Sequence, residues 1–303
     1  MNLITRSDFD GLACGAILKE AGIINSFTFV HPKDLQDGII PVTENDVLAN
    51  VPYVPGCGLW FDHHSSEESR LESAFYKGES RLEKSAARII YEYYGGKEKL
   101  PHFEEMVDMV DRVDSGDLNM NDILNPQGWI LLGFIMDPRT GLGRFQDYTI
   151  SNYSLMKDLI DECRVKKIDQ ILDNPNVKER LERYWEQDGL FREMIKAYTQ
   201  LHGNVIVTDL RNVSPIYSGN RFLIYAIYPE QNISIWIVDG RGKKNAAVAI
   251  GHSILNRTSN TDVGALCLKN NGGGHKQVGT CQMLYDDCDR IVKECIEQMN
   301  REG

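Results

Sequence analysis

The chain has 303 residues, enough for two ordinary domains, and its 42% hydrophobic and 25% charged residues are typical of a globular protein rather than a disordered one. The net charge of −11 is uneven: the first 200 residues hold 22 Lys and Arg against 34 Asp and Glu, whereas residues 201–303 hold 11 against 10. Such an acidic surface repels long nucleic acids, so we expect small phosphate compounds or short single-stranded oligonucleotides as partners, and not duplex DNA.

Two features of the sequence indicate the compartment. No apolar run approaches the roughly 20 residues that a membrane span requires, and the amino terminus lacks the basic and apolar regions of a secretory signal. The seven cysteines are scattered and never form a C-x-x-C pair, which favours reduced thiols over disulfides or a zinc ribbon. We therefore expect a soluble cytoplasmic protein with no membrane partner, and both a monomer and a homodimer are compatible with the sequence.

Short apolar runs alternate with amphipathic segments over the first hundred residues. We predict strands at residues 1–6, 26–31, 46–51 and 58–61, and helices at 11–20 and 84–94. Strands that alternate with helices predict a mostly parallel sheet. In such sheets ligands bind beyond the carboxyl ends of the strands, and Asp8, Asn50 and Asp62 all fall at such ends.

The rest of the chain is first helical and then mixed. Residues 150–200 are charged and helical in character, and after them we predict strands at 204–210, 221–228, 232–238 and 245–252 with helices at 262–269 and 286–300. We therefore predict an α/β protein in three parts. These are a parallel-sheet amino-terminal domain at residues 1–150, a helical connector at 151–203 and a smaller mixed-sheet α/β domain at 204–303.

The first candidate site follows the first predicted strand. Asp8 and Asp10 lie in the turn that leaves this strand, where both carboxylates can reach one centre. Paired carboxylates combined with imidazole suit Mn²⁺ or Mg²⁺ better than softer metals. The alternative is that Asp8 only caps the amino terminus of the following helix.

The second candidate site is a run of three polar residues after an apolar strand. Asp62, His63 and His64 follow the apolar residues 59–61, and burying such groups is unfavourable unless they meet a ligand or a polar network. We expect His63 to bind a metal ion and His64 to contact a phosphate or to donate a proton. The alternative is a pair of surface histidines.

The third candidate site is a glycine-rich segment near the end of the chain. It consists of Gly272, Gly273, Gly274 and His275. Glycines let backbone N–H groups approach phosphate oxygens, so we predict a flexible phosphate-binding loop, with an ordinary flexible turn as the alternative. Upstream, Asn256 and Arg257 are candidates for the same phosphate, because a guanidinium offers a fork of donors.

These motifs, in this order, resemble those of the DHH phosphoesterases with their DHH-associated second domain, especially the exopolyphosphatase-related and nano-RNase-like members. The resemblance spans nearly the whole chain. It implies that Asp8, Asp10 and His63 are metal ligands. It also implies that Asp114, in an Asp-Ser-Gly sequence, is a bridging carboxylate, with Asp111 as the competing choice; the alternative for both is the solvated end of an acidic helix.

The resemblance also implies roles for residues beside these ligands. His64 corresponds to the substrate-contacting histidine, and Asp62 is an outer partner that orients its histidine neighbour. The chain departs from the family pattern at two positions. Ile4 occupies the slot of a first-motif histidine, and Asn50 occupies a slot where the family has Asp. Asn50 offers only an uncharged oxygen as a ligand, so both departures weaken the site built on Asp8.

The implied activity is hydrolysis of a small phosphate-rich substrate with one or two Mn²⁺ or Mg²⁺ ions. Short oligonucleotides, nucleotide phosphates and polyphosphate are the candidate substrates, bound in a cleft between the two domains. His64, Arg257 and His275 would stabilise charge on the phosphate, together with the glycine segment. The alternative is a non-catalytic or weakly active phosphate or nucleotide sensor with a degraded metal site, which the departures at Ile4 and Asn50 favour.

Overall fold

The structure is a computed structural model that describes residues 1–64 and 75–303. The chain divides into two compact units, the first formed by Met1–Asp117 and Pro126–Tyr184, and the second by Leu118–Asn125 and Trp185–Gly303. The division predicted at residues 150 and 203 stays a prediction. Among the described residues, none of the helices is both long and apolar enough to cross a bilayer.

The first unit contains a parallel sheet, as predicted. Its strands are β1 (Asn2–Thr5), β2 (Ser26–Phe29), β3 (Asp46–Ala49), β4 (Leu59–Asp62) and β5 (Gly78–Ser80). In the described part of the chain their order is β2-β1-β3-β4-β5, and every neighbouring pair is parallel. Ile4 of β1 pairs with Leu48 of β3, which pairs with Trp60 of β4, so the carboxyl ends of these three strands lie side by side.

Helices surround this sheet and lead into the second unit. They are α1 (Phe9–Glu20), α2 (Pro32–Gln36), α3 (Ala86–Tyr93), α4 (Gly96–Lys99), α5 (Glu104–Asp114), α6 (Met120–Leu124), α7 (Gly128–Met136), α8 (Asn152–Val165), α9 (Ile168–Leu172) and α10 (Pro175–Tyr198). Of these, α6 and residues 185–198 of α10 belong to the second unit. Helix α1 contacts α3, α5, α7 and α8 and is buried from Phe9 to Leu18. Its small residues permit this close packing: a Cβ on Gly15 would lie 2.8 Å from the Cδ1 atom of Ile160 in α8. The residues at the start of α1 are therefore held rigidly.

The second unit contains a mixed sheet. Its strands are β6 (Thr199–His202), β7 (Val205–Asp209), β8 (Ile233–Asp239), β9 (Asn245–His252), β10 (Gly273–His275) and β11 (Val278–Leu284), and its further helices are α11 (Leu223–Ile227), α12 (Val263–Lys269) and α13 (Tyr285–Glu302). The strand order is β10-β11-β9-β8-β7-β6, and β7 pairs in parallel with β8 while the other neighbours are antiparallel. Helix α13 buries Cys288 and Cys295 in the core, because residues seven apart lie on the same face of a helix.

Two predicted elements of the second unit are wrong. We predict a strand at residues 221–228, but Leu223–Ile227 within this range forms α11. A short apolar run fits a buried helix as well as a strand. Asn220 forms a turn just before this helix, since its side chain accepts a hydrogen bond at 3.0 Å from the backbone N–H of Phe222, the N-cap residue. The glycine segment was predicted as a flexible loop, but Gly273–His275 forms β10, which pairs with β11.

Candidate functional site

Asp10 is fixed by the amino terminus of a helix far away in the sequence. Its two carboxylate oxygens accept hydrogen bonds from the backbone N–H groups of Ala86 at 3.0 Å and Ala87 at 2.8 Å, the first residues of α3. The unpaired N–H groups and the dipole at a helix start stabilise a negative charge there. The Asp10 carboxylate therefore has a fixed direction, and its Oδ2 lies 3.8 Å from Nε2 of His63.

His63 follows β4 and presents one unpartnered nitrogen to two carboxylates. Its Nδ1 lies 3.2 Å from the backbone carbonyl oxygen of Glu83, which only accepts, so Nδ1 donates and Nε2 of the neutral ring holds the lone pair. Nε2 lies 3.8 Å from an oxygen of Asp10 and 3.3 Å from an oxygen of Asp114. This nitrogen is buried and forms no hydrogen bond within the described residues. Such an arrangement is suited to a cation.

Asp114 completes this group, whereas Asp111 does not. One ligand atom from each of Asp10, His63 and Asp114 lies within 4.8 Å of the others. Asp111, one turn earlier in α5, instead accepts hydrogen bonds from Ser85 Oγ at 2.6 Å and Arg88 Nε at 2.8 Å. The geometry therefore brings Asp114, and not Asp111, to the candidate metal centre.

Asp8 lies next to this centre but is occupied by other partners. Its Oδ1 accepts hydrogen bonds from the backbone N–H of Gly11 at 3.0 Å, as the N-cap of α1, and from Asn50 Nδ2 at 3.1 Å. Its Oδ2 lies 3.1 Å from Nε of Arg6. Asn50 adopts a positive φ of 55° just after β3, and its own Oδ1 has no hydrogen-bond partner among the described residues. The capping role considered for Asp8 is thus present, together with an ion pair that the sequence analysis missed.

Asp62 orients His64 rather than His63. The buried Asp62 carboxylate lies 2.9 Å from His64 Nδ1, and its other oxygen accepts a hydrogen bond from the His64 backbone N–H at 3.4 Å. The partner that orients His63 is the backbone carbonyl of Glu83, twenty residues later in the chain. A backbone carbonyl has no sequence signature, so this partner could not be predicted.

Burial and neighbouring negative charges raise the pKa of two carboxylates here, Asp10 and Asp8. The pKa of Asp10 lies well above its usual range because the group is buried and because Asp114 and Asp8 carry like charges nearby. Burial also raises the pKa of Asp8, although the charges of Arg6 and Arg139 act against this rise. A divalent cation would relieve this repulsion. A small cavity adjoins the group, and its polar lining consists of Asp8, Asp10, Asp114, Asp137 and Arg139.

The donor set fits the ion that the sequence predicts. Carboxylate oxygens and one neutral imidazole are ligands suited to Mn²⁺, and Mg²⁺ shares the preference for oxygen. The unpartnered His63 Nε2 is the specific observation, because a buried imidazole nitrogen without a partner is costly unless it meets a ligand.

The remaining predicted residues lie in the second unit. Gly272 follows α12, and His275 is exposed in the edge strand β10. Both ends of the Asn256 side-chain amide are hydrogen-bonded: Nδ2 donates to the carbonyl of Glu230 at 2.8 Å, and Oδ1 accepts from Thr258 Oγ1 at 2.8 Å. Arg257 is exposed beside it. The substrate-binding roles of these residues stay predictions.

Two glycines of this segment differ in the space around them, which yields a matched pair of variants. A Cβ on Gly272 would lie 2.1 Å from the carbonyl oxygen of Thr280 in β11, whereas a Cβ on Gly273 would meet nothing within 4 Å. We expect Gly272→Ala to lower the free energy of unfolding by about 1–3 kcal/mol and Gly273→Ala to leave it nearly unchanged. Thermal melts followed by circular dichroism measure both, and equal stability of the two variants would contradict this packing.

Solved structures that are similar to this chain identify its family. A pGpG-specific phosphodiesterase, PggH, from Vibrio cholerae is 45% identical to this chain with a TM-score of 0.85, and the match covers 100% of this chain and 99% of that one. A DHH domain from a protein described as a member of a ribosomal-protein family matches with 12% identity and a TM-score of 0.58, over 100% and 87% of the two chains. The chain belongs to the DHH phosphoesterase superfamily. It is a phosphoric ester hydrolase.

A third comparison concerns the fold alone. RecJ from Thermus thermophilus in complex with Mn²⁺ is 11% identical with a TM-score of 0.50, and the match covers 100% of this chain and 52% of that one. No protein-family model and no curated protein matches the sequence.

In this DHH phosphoesterase the motifs that the sequence analysis identified in the first unit lie together at one edge of the sheet. Asp10, His63 and Asp114 converge, while Asp8 and Asn50 are joined by a hydrogen bond beside them. Ile4 is buried within β1, so it offers no ligand at the slot of the missing histidine. Two arginines near Asp8, Arg6 and Arg139, were not predicted as site residues; a basic residue two positions before Asp8 is a signal that could have found the first of them.

Proposed function

We propose that this protein is a metal-dependent phosphodiesterase that hydrolyses pGpG to two molecules of GMP. The single observation that supports the chemistry is the convergence of Asp10, Asp114 and an unpartnered nitrogen of His63. The substrate is proposed because the Vibrio cholerae relative, which is 45% identical along the whole chain, is specific for pGpG. The acidic composition agrees with a dinucleotide rather than a long nucleic acid, since a short substrate presents few phosphates to repel.

In this proposal Asp10, His63 and Asp114 hold the ion, which is Mn²⁺ or Mg²⁺. A bound ion of this kind lowers the pKa of a water molecule and polarises a phosphoryl oxygen. The protein contributes fixed directions for the ligands. The helix start at Ala86 and Ala87 orients Asp10, and the Glu83 carbonyl keeps the lone pair of His63 on Nε2.

His64 is proposed as the group that contacts the phosphate or protonates the leaving oxygen. Burial lowers the pKa of His64, but the hydrogen bond to Asp62 and the charges of Asp62 and Asp114 raise it more, so the net shift is upward. The proton on Nδ1 is directed at Asp62, so the protonated ring has a second N–H at Nε2. A hydrogen bond from this cation to a phosphoryl oxygen is charge-assisted and therefore strong.

The second unit is proposed to supply phosphate contacts. Arg257 and His275 are exposed cationic or donor side chains, and the glycine segment beside His275 offers backbone N–H groups. Asn256, whose amide is already engaged within its loop, would position Arg257 rather than bind the phosphate itself.

Removal and return of the metal ion tests this function. We expect purified protein to convert pGpG to GMP with Mn²⁺. This activity should cease after treatment with EDTA and return when Mn²⁺ is restored, because the proposed reaction depends on the bound ion. Chromatography of the nucleotides measures the products. Short polyphosphate serves as the comparison substrate, and its hydrolysis in place of pGpG would contradict the proposed substrate. Tight pGpG binding with no turnover under any metal would support the sensor alternative instead.

A further inference from the structure

The ion pair between Arg6 and Asp8 places a fixed positive charge beside the candidate metal centre. Arg6 Nε lies 3.1 Å from Oδ2 of Asp8, and the side chain of Asp8 is almost fully buried. The other carboxylate oxygen of Asp8 already accepts hydrogen bonds from Gly11 and Asn50. Oδ2 is therefore the oxygen of Asp8 left for a metal ion, and Arg6 occupies it.

A second guanidinium lies in the cavity that Asp8 lines. Arg139 lines the cavity with Asp8, and its Nε lies 2.8 Å from the carboxylate of Asp137. Arg6, which pairs with Asp8, and Arg139, which lines the same cavity as Asp8, thus bring two positive charges to the surroundings of this carboxylate.

Few groups beside Asp8 are suited to a second ion. Asn50 turns its amide nitrogen, a donor, toward Asp8, and its Oδ1, which has no hydrogen-bond partner among the described residues, carries no negative charge. Ile4, in the strand that precedes Asp8, is apolar and buried. Asp10, His63 and Asp114 instead converge on a single point from which Asp8 is absent.

We propose that the Arg6–Asp8 ion pair takes the place of a second divalent ion, so that the centre binds one ion and Arg6 binds a non-bridging oxygen of the substrate phosphate. This inference rests on the proposed function, which supplies the ion and the phosphodiester. A guanidinium offers donors in a fork that matches two phosphoryl oxygens, so it replaces part of the charge that a second ion would contribute. Arg139, which lines the cavity beside Asp8, leaves a positive charge near this carboxylate when Arg6 binds the phosphate.

The number of bound ions tests the inference without any measurement of activity. Mn²⁺ is titrated into EDTA-treated full-length protein, and the free ion is followed by electron paramagnetic resonance. We expect one ion per chain in the wild type, one in Asp8→Asn and none with comparable affinity in Asp10→Asn. Asn is a good N-cap residue, so Asp8→Asn retains the start of α1, and a circular dichroism melt checks this.

The contact with phosphate is tested by replacing Arg6. We expect Arg6→Gln to bind one Mn²⁺ and to raise KM for pGpG by about 10- to 100-fold, the usual loss for one hydrogen bond to a charged group, while Arg6→Lys recovers part of this loss. An unchanged KM in Arg6→Gln would overturn the inference.

The other outcomes separate this inference from the proposed function. Two ions in the wild type with one in Asp8→Asn would overturn the inference and leave the metal-dependent function intact. One ion in the wild type and none in Asp8→Asn would make Asp8 a ligand of the single ion and would also overturn it. No bound ion in the wild type would overturn the proposed metal centre itself.

Discussion

Asp10→Asn is expected to lower Mn²⁺-dependent hydrolysis of pGpG by about a thousand-fold or more, because the proposed centre then loses a carboxylate that the start of α3 holds in place. A catalytic metal ion contributes several kcal/mol of transition-state stabilisation, and each 1.4 kcal/mol corresponds to about a tenfold change in rate. Steady-state kinetics at saturating Mn²⁺ measure the loss. Turnover within a few-fold of the wild type would show that Asp10 is not a ligand.

The stability of this variant separates loss of the ion from loss of the fold. Asn keeps one acceptor oxygen for the N–H groups of Ala86 and Ala87 and leaves the other N–H without its partner, which costs about 1–3 kcal/mol. The substitution also removes a carboxyl group whose pKa is raised well above its usual range by burial and by Asp114 and Asp8. Because burial and these like charges destabilise the ionised form, its removal offsets part of the cost. We therefore expect the Tm of the metal-free variant to stay within about 3 °C of the wild type.

Asp46→Asn is the matched control for Asp10→Asn. Asp46 is also a buried carboxylate in the same unit, but it lies at the beginning of β3, where it accepts hydrogen bonds from the backbone and side chain of Thr43. This is the opposite end of the strand from Asn50, so we expect metal binding and turnover to persist. A comparable loss of turnover in both variants would point to a general effect of removing buried carboxylates.

The position of the candidate centre could be predicted from the local pattern of apolar and polar residues. Apolar runs end just before Asp8, at Asn50 and at Asp62, and parallel strands bring their carboxyl ends to one edge of the sheet. The partners that fix each ligand were not predictable. Asp10 meets the N–H groups of Ala86 and Ala87 because α1 and α3 pack together, and no local pattern encodes that contact.

The errors in the second unit have a different origin. The segment that became α11 is a short apolar run, and burial alone does not distinguish a strand from a helix in such a run. The glycines at residues 272–274 suggested a loop, but the missing side chain of Gly274 lets β10 lie close against β11, since a Cβ there would lie 2.3 Å from the carbonyl oxygen of Val278. Tertiary packing decided both cases.

Asp114→Asn and Asp111→Asn are expected to separate metal binding from stability on one helix. Asp114 lies 3.3 Å from His63 Nε2, so its loss removes a ligand, and we expect weaker Mn²⁺ binding and a fall in turnover of about a thousand-fold. Asp111 instead joins Ser85 and Arg88, so its substitution is expected to lower the free energy of unfolding by about 1–3 kcal/mol while Mn²⁺ binding persists.

The two variants decide between Asp111 and Asp114 as the metal ligand, because they carry the same chemical change one turn apart on α5. Mn²⁺ titration, pGpG kinetics and thermal melts on both proteins measure the two effects separately. The reverse pattern, with lost metal binding in Asp111→Asn and normal binding in Asp114→Asn, would mean that α5 presents its other carboxylate to the ion. The hydrogen bonds of Asp111 argue against that outcome: its two oxygens accept from Ser85 and Arg88, so ligating an ion would require breaking a buried pair that the fold uses to join α3 to α5.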